Sequence, residues 1–311
     1  MRKELGVLVL LAVLCIVVSV LNPQFLSTAN LQNTLRLIGI YGIFSIGVGI
    51  VIVTGGIDLS VGSLFALLGV LLSMMLTQWH WPPLLAVGAV LVLGAGLGAS
   101  HGMLITRLRL QPFIVTLCGL LLYRGLARYI ARDETQGFGN GQGFEWLRDL
   151  ATGSPGGIPM PFVFFSVIAV AMGAFLHRSL YGRHLVAVGY NERSARYSGI
   201  NSRNIVLASY VISGALAGIA AIFLAFYTNS ISPSSHGNFY ELYAIAAAVL
   251  GGCSLRGGEG SILGIVIGTA LLQVLRNLVN LLDIPSSLDF AVMGAVILIG
   301  VIADQVLRGK K

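Results

Sequence analysis

Runs of apolar residues long enough to cross a bilayer alternate with short polar punctuation along almost the whole chain. They fall at 5–21, 35–53, 60–76, 83–104, 113–130, 161–177, 205–227, 240–252, 261–281 and 288–307. A helix needs about 20 apolar residues to traverse the hydrocarbon core, so the pattern predicts an all-α, polytopic membrane helix bundle of about ten transmembrane helices. It reads as a single transmembrane domain over residues 1–311. The first run follows Arg2 and Lys3, is long enough to span and lacks a small-x-small cleavage site, which makes it a first helix rather than a signal peptide.

Two breaks interrupt the apolar pattern without ending it, predicting broken helices near 55–63 and 251–261. The first reads Gly55-Gly56-Ile57-Asp58-Leu59-Ser60-Val61-Gly62-Ser63, and the second reads Gly251-Gly252-Cys253-Ser254-Leu255-Arg256-Gly257-Gly258-Glu259-Gly260-Ser261. Both carry Gly-Gly-x-x-Leu followed by Gly-Ser, the echo expected of a parallel internal repeat. Two longer polar stretches also stand out. Residues 131–160 hold a glycine tract at 137–143, and Phe144, Leu147 and Leu150 at helical spacing fit a helix lying flat on the membrane surface. Residues 178–204 are polar and rich in arginine.

Composition agrees with the pattern. Of 311 residues, 56% are hydrophobic and only 10% charged, with a mean hydropathy of +0.88, whereas a soluble domain carries about 25% charged residues. The 40 glycines suit a tightly packed bundle, because small residues let membrane helices approach closely. The net charge of +7 is placed unevenly. With the N-terminus inside, Arg107, Arg109, Arg178, Arg183, Arg193, Arg196, Arg203, Arg308, Lys310 and Lys311 all fall on the cytoplasmic face. This is the positive-inside bias, and it puts both termini in the cytoplasm, 131–160 outside and 178–204 inside. Arg124 and Arg128 sit at the outer end of their span, where snorkelling to the interface is the simplest account. Lysine occurs only at Lys3, Lys310 and Lys311, so no phosphate-cradling Walker loop is present. The scattered arginines do not make a nucleic-acid footprint. Cys15, Cys118 and Cys253 lie far apart, and the histidines have no ligand spacing, so neither a disulfide, a metal site nor a cofactor is expected.

The intramembrane polar residues carry the candidate chemistry. Asp58 is the only acidic residue between Glu4 and Asp133; a charge at membrane depth costs on the order of 2.5–3.5 kcal/mol on insertion scales and needs a partner. Either Asp58 or Ser60 caps the following helix, the favoured reading, or Asp58, Ser60 and Ser63 face a solvated substrate pathway. Arg256 and Glu259 have the spacing to pair if their stretch is helical. Gln273, Arg276, Asn277 and Asn280 form a polar stripe on one face, for inter-helix hydrogen bonds or solute contact. There is no nucleophile with a histidine and carboxylate beside it and no paired carboxylates outside the loops, so an enzyme is not expected.

The motifs resemble the membrane permease subunits of ATP-binding-cassette importers for ribose and related simple sugars. The resemblance runs through Thr54 to Ser63, Gly182-Arg183-His184-Leu185, Gly189-Tyr190-Asn191-Glu192, Ser198-Gly199-Ile200-Asn201, Tyr240-Glu241-Leu242, Gly251-Gly252 and Gly257-Gly258. It departs at Tyr243, where the family commonly has aspartate, at Cys253, often threonine, and at Arg193-Ser194. It implies a permease dimer in the inner membrane, homomeric or heteromeric, two cytoplasmic ATPase subunits and an extracytoplasmic sugar-binding protein. It also implies that 178–204 is the coupling segment that docks on the ATPase, through Gly189, Asn191, Glu192, Arg193, Ala195, Arg196, Ser198 and Gly199. Asp58, Ser60, Ser63, Asn277 and Asn280 are then candidates for the substrate pathway. The rival readings are an importer subunit for another small solute, such as a nucleoside or branched-chain amino acid, and an ion-driven secondary carrier. The carrier would need paired intramembrane charges, for which only Asp58 is a candidate.

Overall fold

A computed structural model describes residues 2–139 and 143–285, together with residues 288, 291, 292, 294, 295 and 298. Most of the tenth expected span, 288–307, with Arg308, Lys310 and Lys311, lies outside the described residues, as do residues 140–142 of the glycine tract. The described helices are α1 (Arg2–Leu21), α2 (Thr28–Val53), α3 (Val61–Thr77), α4 (Pro83–Arg107), α5 (Pro112–Ile130), α6 (Glu145–Thr152), α7 (Met160–Arg178), α8 (Leu180–Tyr190), α9 (Glu192–Tyr197), α10 (Ser202–Thr228), α11 (Tyr240–Leu250) and α12 (Ile262–Leu281). The only described strands are β1 (Gln136–Gly137) and β2 (Ser230–Ile231), an antiparallel pair at one end of the bundle.

Local chemistry starts these helices where the sequence changes character. Side chains of Ser27, Ser179, Asn191, Asn201 and Ser261 accept the backbone N–H bonds that open α2, α8, α9, α10 and α12. Proline at the first turn opens α4, α5 and α7, where its missing N–H costs nothing. Seven of the helices are long and apolar enough to cross a membrane, and α3 and α11 are shorter apolar helices. The chain is a multi-pass membrane protein.

The helices divide into an inner and an outer set. In its most apolar window α2 is 89% buried, whereas α1 is 6% buried and shows an apolar surface on nearly every side, as a lipid-facing helix does. The most extensive helix contact is between α4 and α10. There Gly94, Gly98 and Gly102 lie against the backbone of Gly214, Tyr210 and Leu207, so that a methyl group at any of the three would strike main-chain atoms. This is the small-residue ridge that membrane helices use when no hydrophobic effect drives them together.

Two helices begin inside the bundle rather than at its surface. The residues before α3 climb inward from the end of α2. The loop before α11 runs down beside α3 until Gly237 lies against Gly62, and Tyr240 stacks among Tyr41, Phe44 and Phe65 near the middle of α2. Irregular backbone at this depth persists only when protein satisfies it. Arg124 of α5 does so here, donating Nη1 to the carbonyls of Pro233 at 3.0 Å and His236 at 2.7 Å. The snorkelling expected of Arg124 is therefore corrected: it reaches inward because carbonyls without ladder partners wait there. Arg128 instead pairs with Asp133 through two bonds of 2.6 and 2.8 Å at the exposed end of α5.

The polar stretch 131–160 also departs from expectation. It does not offer Phe144 and Leu147 to lipid. Phe144 and Leu147 are buried against the bundle, with Phe144 and Phe138 ringed around Phe226 of α10, while Leu150 faces outward. An amphipathic helix buries its apolar face against whatever apolar surface is nearest, and here that is the end of α10.

Candidate functional site

At the end of the bundle opposite α6, three glycine-bearing segments meet. Gly258 donates its N–H to the carbonyl of Val53 at 2.9 Å. Gly257 lies against Gly55 and the carbonyl of Gly189, and Gly258 against Tyr190. The two breaks that echo one another in sequence thus touch each other and the last turn of α8. Their backbones are not superposable copies, since φ is positive at Gly55 in the first and at Gly252 in the second. Residues 251–261 form turns rather than a helix, so the helical pairing considered for Arg256 and Glu259 has no helix to form on.

From this junction α9 projects. Asn191 caps it by accepting from Ser194 N at 3.0 Å, and Gly199, at φ 83°, turns the chain out of it. Glu192 accepts from Arg196 one turn on and from the Ser202 hydroxyl at 3.0 Å, and Arg196 Nε donates to the same hydroxyl at 2.7 Å. Only Ala195 of α9 is buried; Glu192, Arg193, Arg196 and Ser198 are exposed. Gly189, like the buried Ala195, departs from the exposed set of candidate docking residues. It does not border α9 on the outside but faces inward on Val53 and Gly258. Sequence reasoning passed over two aromatic residues beside these positions, Tyr190 and Tyr197, which are 82% and 91% exposed; their alternation with charged residues is the available signal. A cavity of about 480 Å³ opens beside α9, with Gly55, Gly56, Arg109, Arg193 and Arg196 in its walls.

Asp58 lies deeper, 3% exposed. Its Oδ1 accepts from Ser60 N at 3.1 Å and Ser60 Oγ at 2.7 Å, and its Oδ2 accepts from Ser213 Oγ of α10 at 3.0 Å. Ser63 Oγ donates to the Ser60 carbonyl at 2.8 Å. Ser60 stands at the N-cap position of α3, but its own side chain makes no capping bond. Of the two expected caps it is Asp58, not Ser60, that accepts a backbone N–H at the start of α3, and it also bonds across to α10, which fixes the break to its neighbour. Tyr210 of α10 reinforces this by donating to the Ile57 carbonyl at 3.0 Å.

At the opposite end the polar stripe of α12 faces a cavity of about 280 Å³ between α2, α10, α11 and α12. Asn277 and Asn280 line it, with Asn33, Thr34, Gln273 and Arg276. Asn277 and Asn30 exchange two amide bonds of 2.7 and 3.1 Å. Arg276 Nη1 donates to Tyr41 Oη at 3.0 Å, with its guanidinium over the Tyr41 and Tyr243 rings. The structure thus separates the candidate pathway residues: Asn277 and Asn280 share one cavity, and Asp58, Ser60 and Ser63 form an internal knot elsewhere.

Known proteins resemble this chain over nearly its full length. Residues 30–301 match the family described as branched-chain amino acid transport system, permease component. The ribose import permease protein of Escherichia coli (strain K12) is 39% identical over 301 residues, covering 96% of this chain and 92% of the relative. That of Bacillus subtilis (strain 168) is 39% identical over 304 residues, covering 97% and 93%. The D-allose transport system permease protein of Escherichia coli (strain K12) is 33% identical over 305 residues, covering 97% and 91%. A membrane bundle with two glycine breaks joined beneath a projecting polar helix, matched along its length by such relatives, belongs to this family of transport-system permease components.

Proposed function

We propose that the chain is the membrane permease subunit of an ATP-binding-cassette importer that carries a simple sugar, ribose or a close relative, across the inner membrane. As a permease component it is the non-catalytic, membrane-embedded part. Separate cytoplasmic ATPase subunits supply the energy, a second permease chain completes the channel, and an extracytoplasmic binding protein delivers the sugar. Both termini and the 178–204 segment face the cytoplasm in this reading, as the arginine placement favours. The importer relatives named for ribose and D-allose support the substrate class.

The observation that carries the proposal is α9: an exposed, charged, six-residue helix that ends in exposed Tyr197, follows exposed Tyr190 and is seated on the junction of both breaks. Aromatic residues and arginine dominate the energetics of protein interfaces, and the ATPase docks here on Asn191, Glu192, Arg193, Ala195, Arg196, Ser198 and Gly199. Gly189 links the docked helix to the breaks. Closure of the ATPases moves α9, and with it Gly55 and Gly257, so that the bundle alternates between openings. The sugar passes Asn277 and Asn280, whose amides pair with hydroxyls, while Asp58 with Ser60 and Ser63 holds the inner break in shape.

Replacing Arg193 with Glu and Tyr197 with Ala tests the docking. The ATPase subunits are expected to be lost on purification while the permease stays in the membrane; an intact complex would count against the assignment. A branched-chain amino acid as cargo is the second reading, favoured by the family's description. Competition of labelled D-ribose uptake by leucine distinguishes the two.

A further inference from the structure

Two residues lining the cavity beneath the polar stripe of α12 each carry a buried polar atom without a partner. Thr34 Oγ1 on α2 and Gln273 Oε1 on α12 make no hydrogen bond, although both residues line the cavity and are only 6% and 4% exposed. Three other polar walls are engaged. Asn277 pairs with Asn30, Arg276 donates to Tyr41, and Asn33 Oδ1 accepts from Tyr227 Oη at 2.9 Å. A buried acceptor left without a donor is unfavourable and is rare in native structures. Both atoms are covered in this conformation but belong to residues lining one cavity, so turning either side chain into that space lets it meet a hydroxyl group from outside the chain.

We propose that Thr34 and Gln273 form a hydroxyl-reading station on the permease itself, so that the channel and not only the binding protein selects a neutral polyol. The inference rests on the sugar-import reading. Gln273 Oε1 only accepts, so it takes a proton from a sugar hydroxyl and offers nothing to a carboxylate, whereas Thr34 Oγ1 both donates and accepts. The Tyr41 and Tyr240 rings, 4.9 Å apart between centroids, give the same cavity an apolar wall for the C–H face of a sugar ring. A space of about 280 Å³ holds a solute of roughly ten non-hydrogen atoms, taking a water's share of liquid as ~30 Å³, which is the size of a five- or six-carbon sugar.

The test uses the complete transporter, with its ATPase and binding protein, and measures uptake of labelled D-ribose, D-xylose and D-allose and of their monodeoxy analogues. Thr34→Val and Gln273→Met remove the polar atoms at nearly constant volume, and Thr34→Ser restores the hydroxyl. Both apolar variants are expected to lower uptake about tenfold and to narrow the native preference for the parent sugar over at least one deoxy analogue, with Thr34→Ser close to native. Because the binding protein is unchanged, a narrowed preference belongs to the permease. If Gln273→Met does not accumulate in the membrane, the Thr34 pair decides alone. Native import with unaltered preferences in the variants overturns the station and leaves the sugar reading intact. Failure of the native transporter to import any of the three sugars overturns both.

Discussion

Asp58 shows how a single residue carries both a cost and its remedy. Its carboxylate is buried among apolar helices, and donors from Ser60 and Ser213 surround it. Removing the carboxylate strands those donors, so Asp58→Ala is expected to destabilise the chain by about 1–3 kcal/mol, read as a lower melting temperature in detergent. Molecules that remain folded are expected to import at the native rate per molecule; lost uptake with native stability would return Asp58 to the pathway. Arg124→Met is expected to have a comparable effect on stability, because the carbonyls of Pro233 and His236 lose their donor; unchanged melting would show that the loop holds itself. The sequence made Asp58 conspicuous, since a lone acid in an apolar run needs a reason. Its partner Ser213 lies 155 positions away and Arg124 lies more than a hundred positions from the loop it clamps. No local pattern encodes such distances, and a membrane arginine at the end of a span carries the same signature whether it turns out to lipid headgroups or in to carbonyls.

At the scale of elements, apolar periodicity placed the helices well because a bilayer imposes length and polarity at once. The same signal could not say what an apolar face meets. Phe144 and Leu147 have one spacing for a lipid surface or for the end of α10, and the second proved correct. The glycine excess likewise announced close packing without saying where. The structure places one part of it on the ridge between α4 and α10, so Gly98→Leu is expected to prevent those helices from closing and to abolish accumulation of folded protein in the membrane, while Gly96→Leu, beside which nothing lies within 4 Å, is expected to be tolerated. Comparable levels of the two variants in membranes would contradict the ridge. Gly189 belongs to a different contact. Its replacement by Ala forces the last turn of α8 away from Val53 and Gly258, and is expected to leave ATPase binding intact while reducing import per ATP about tenfold. Native coupling would show that α9 communicates by another route.

For the whole molecule, the echo between the two breaks becomes intelligible only in three dimensions. The first break leads into α3 and the second joins α11 to α12, and both converge on α8 just before α9, with Gly258 bonded to Val53 across the junction. A push on α9 therefore reaches α2, α3, α11 and α12 together. The cavity lined by Asn277 and Asn280 lies at the far end of two of those helices, α2 and α12, where a small rotation at the junction is carried along rigid rods to the proposed sugar path. The departures from the sugar-permease pattern fall in this layout: Tyr243 packs edge-on against Tyr41 beneath Arg276, and Cys253 is buried at the second break, the two regions proposed to move. The central claim is that this chain imports a sugar only when a separate ATPase drives it through α9. The most direct measurement is uptake of labelled D-ribose into proteoliposomes holding the permease, with the ATPase, ATP and binding protein added or withheld. Accumulation is expected only when all are present. Accumulation that persists without the ATPase, or that follows an imposed ion gradient instead, would contradict the account.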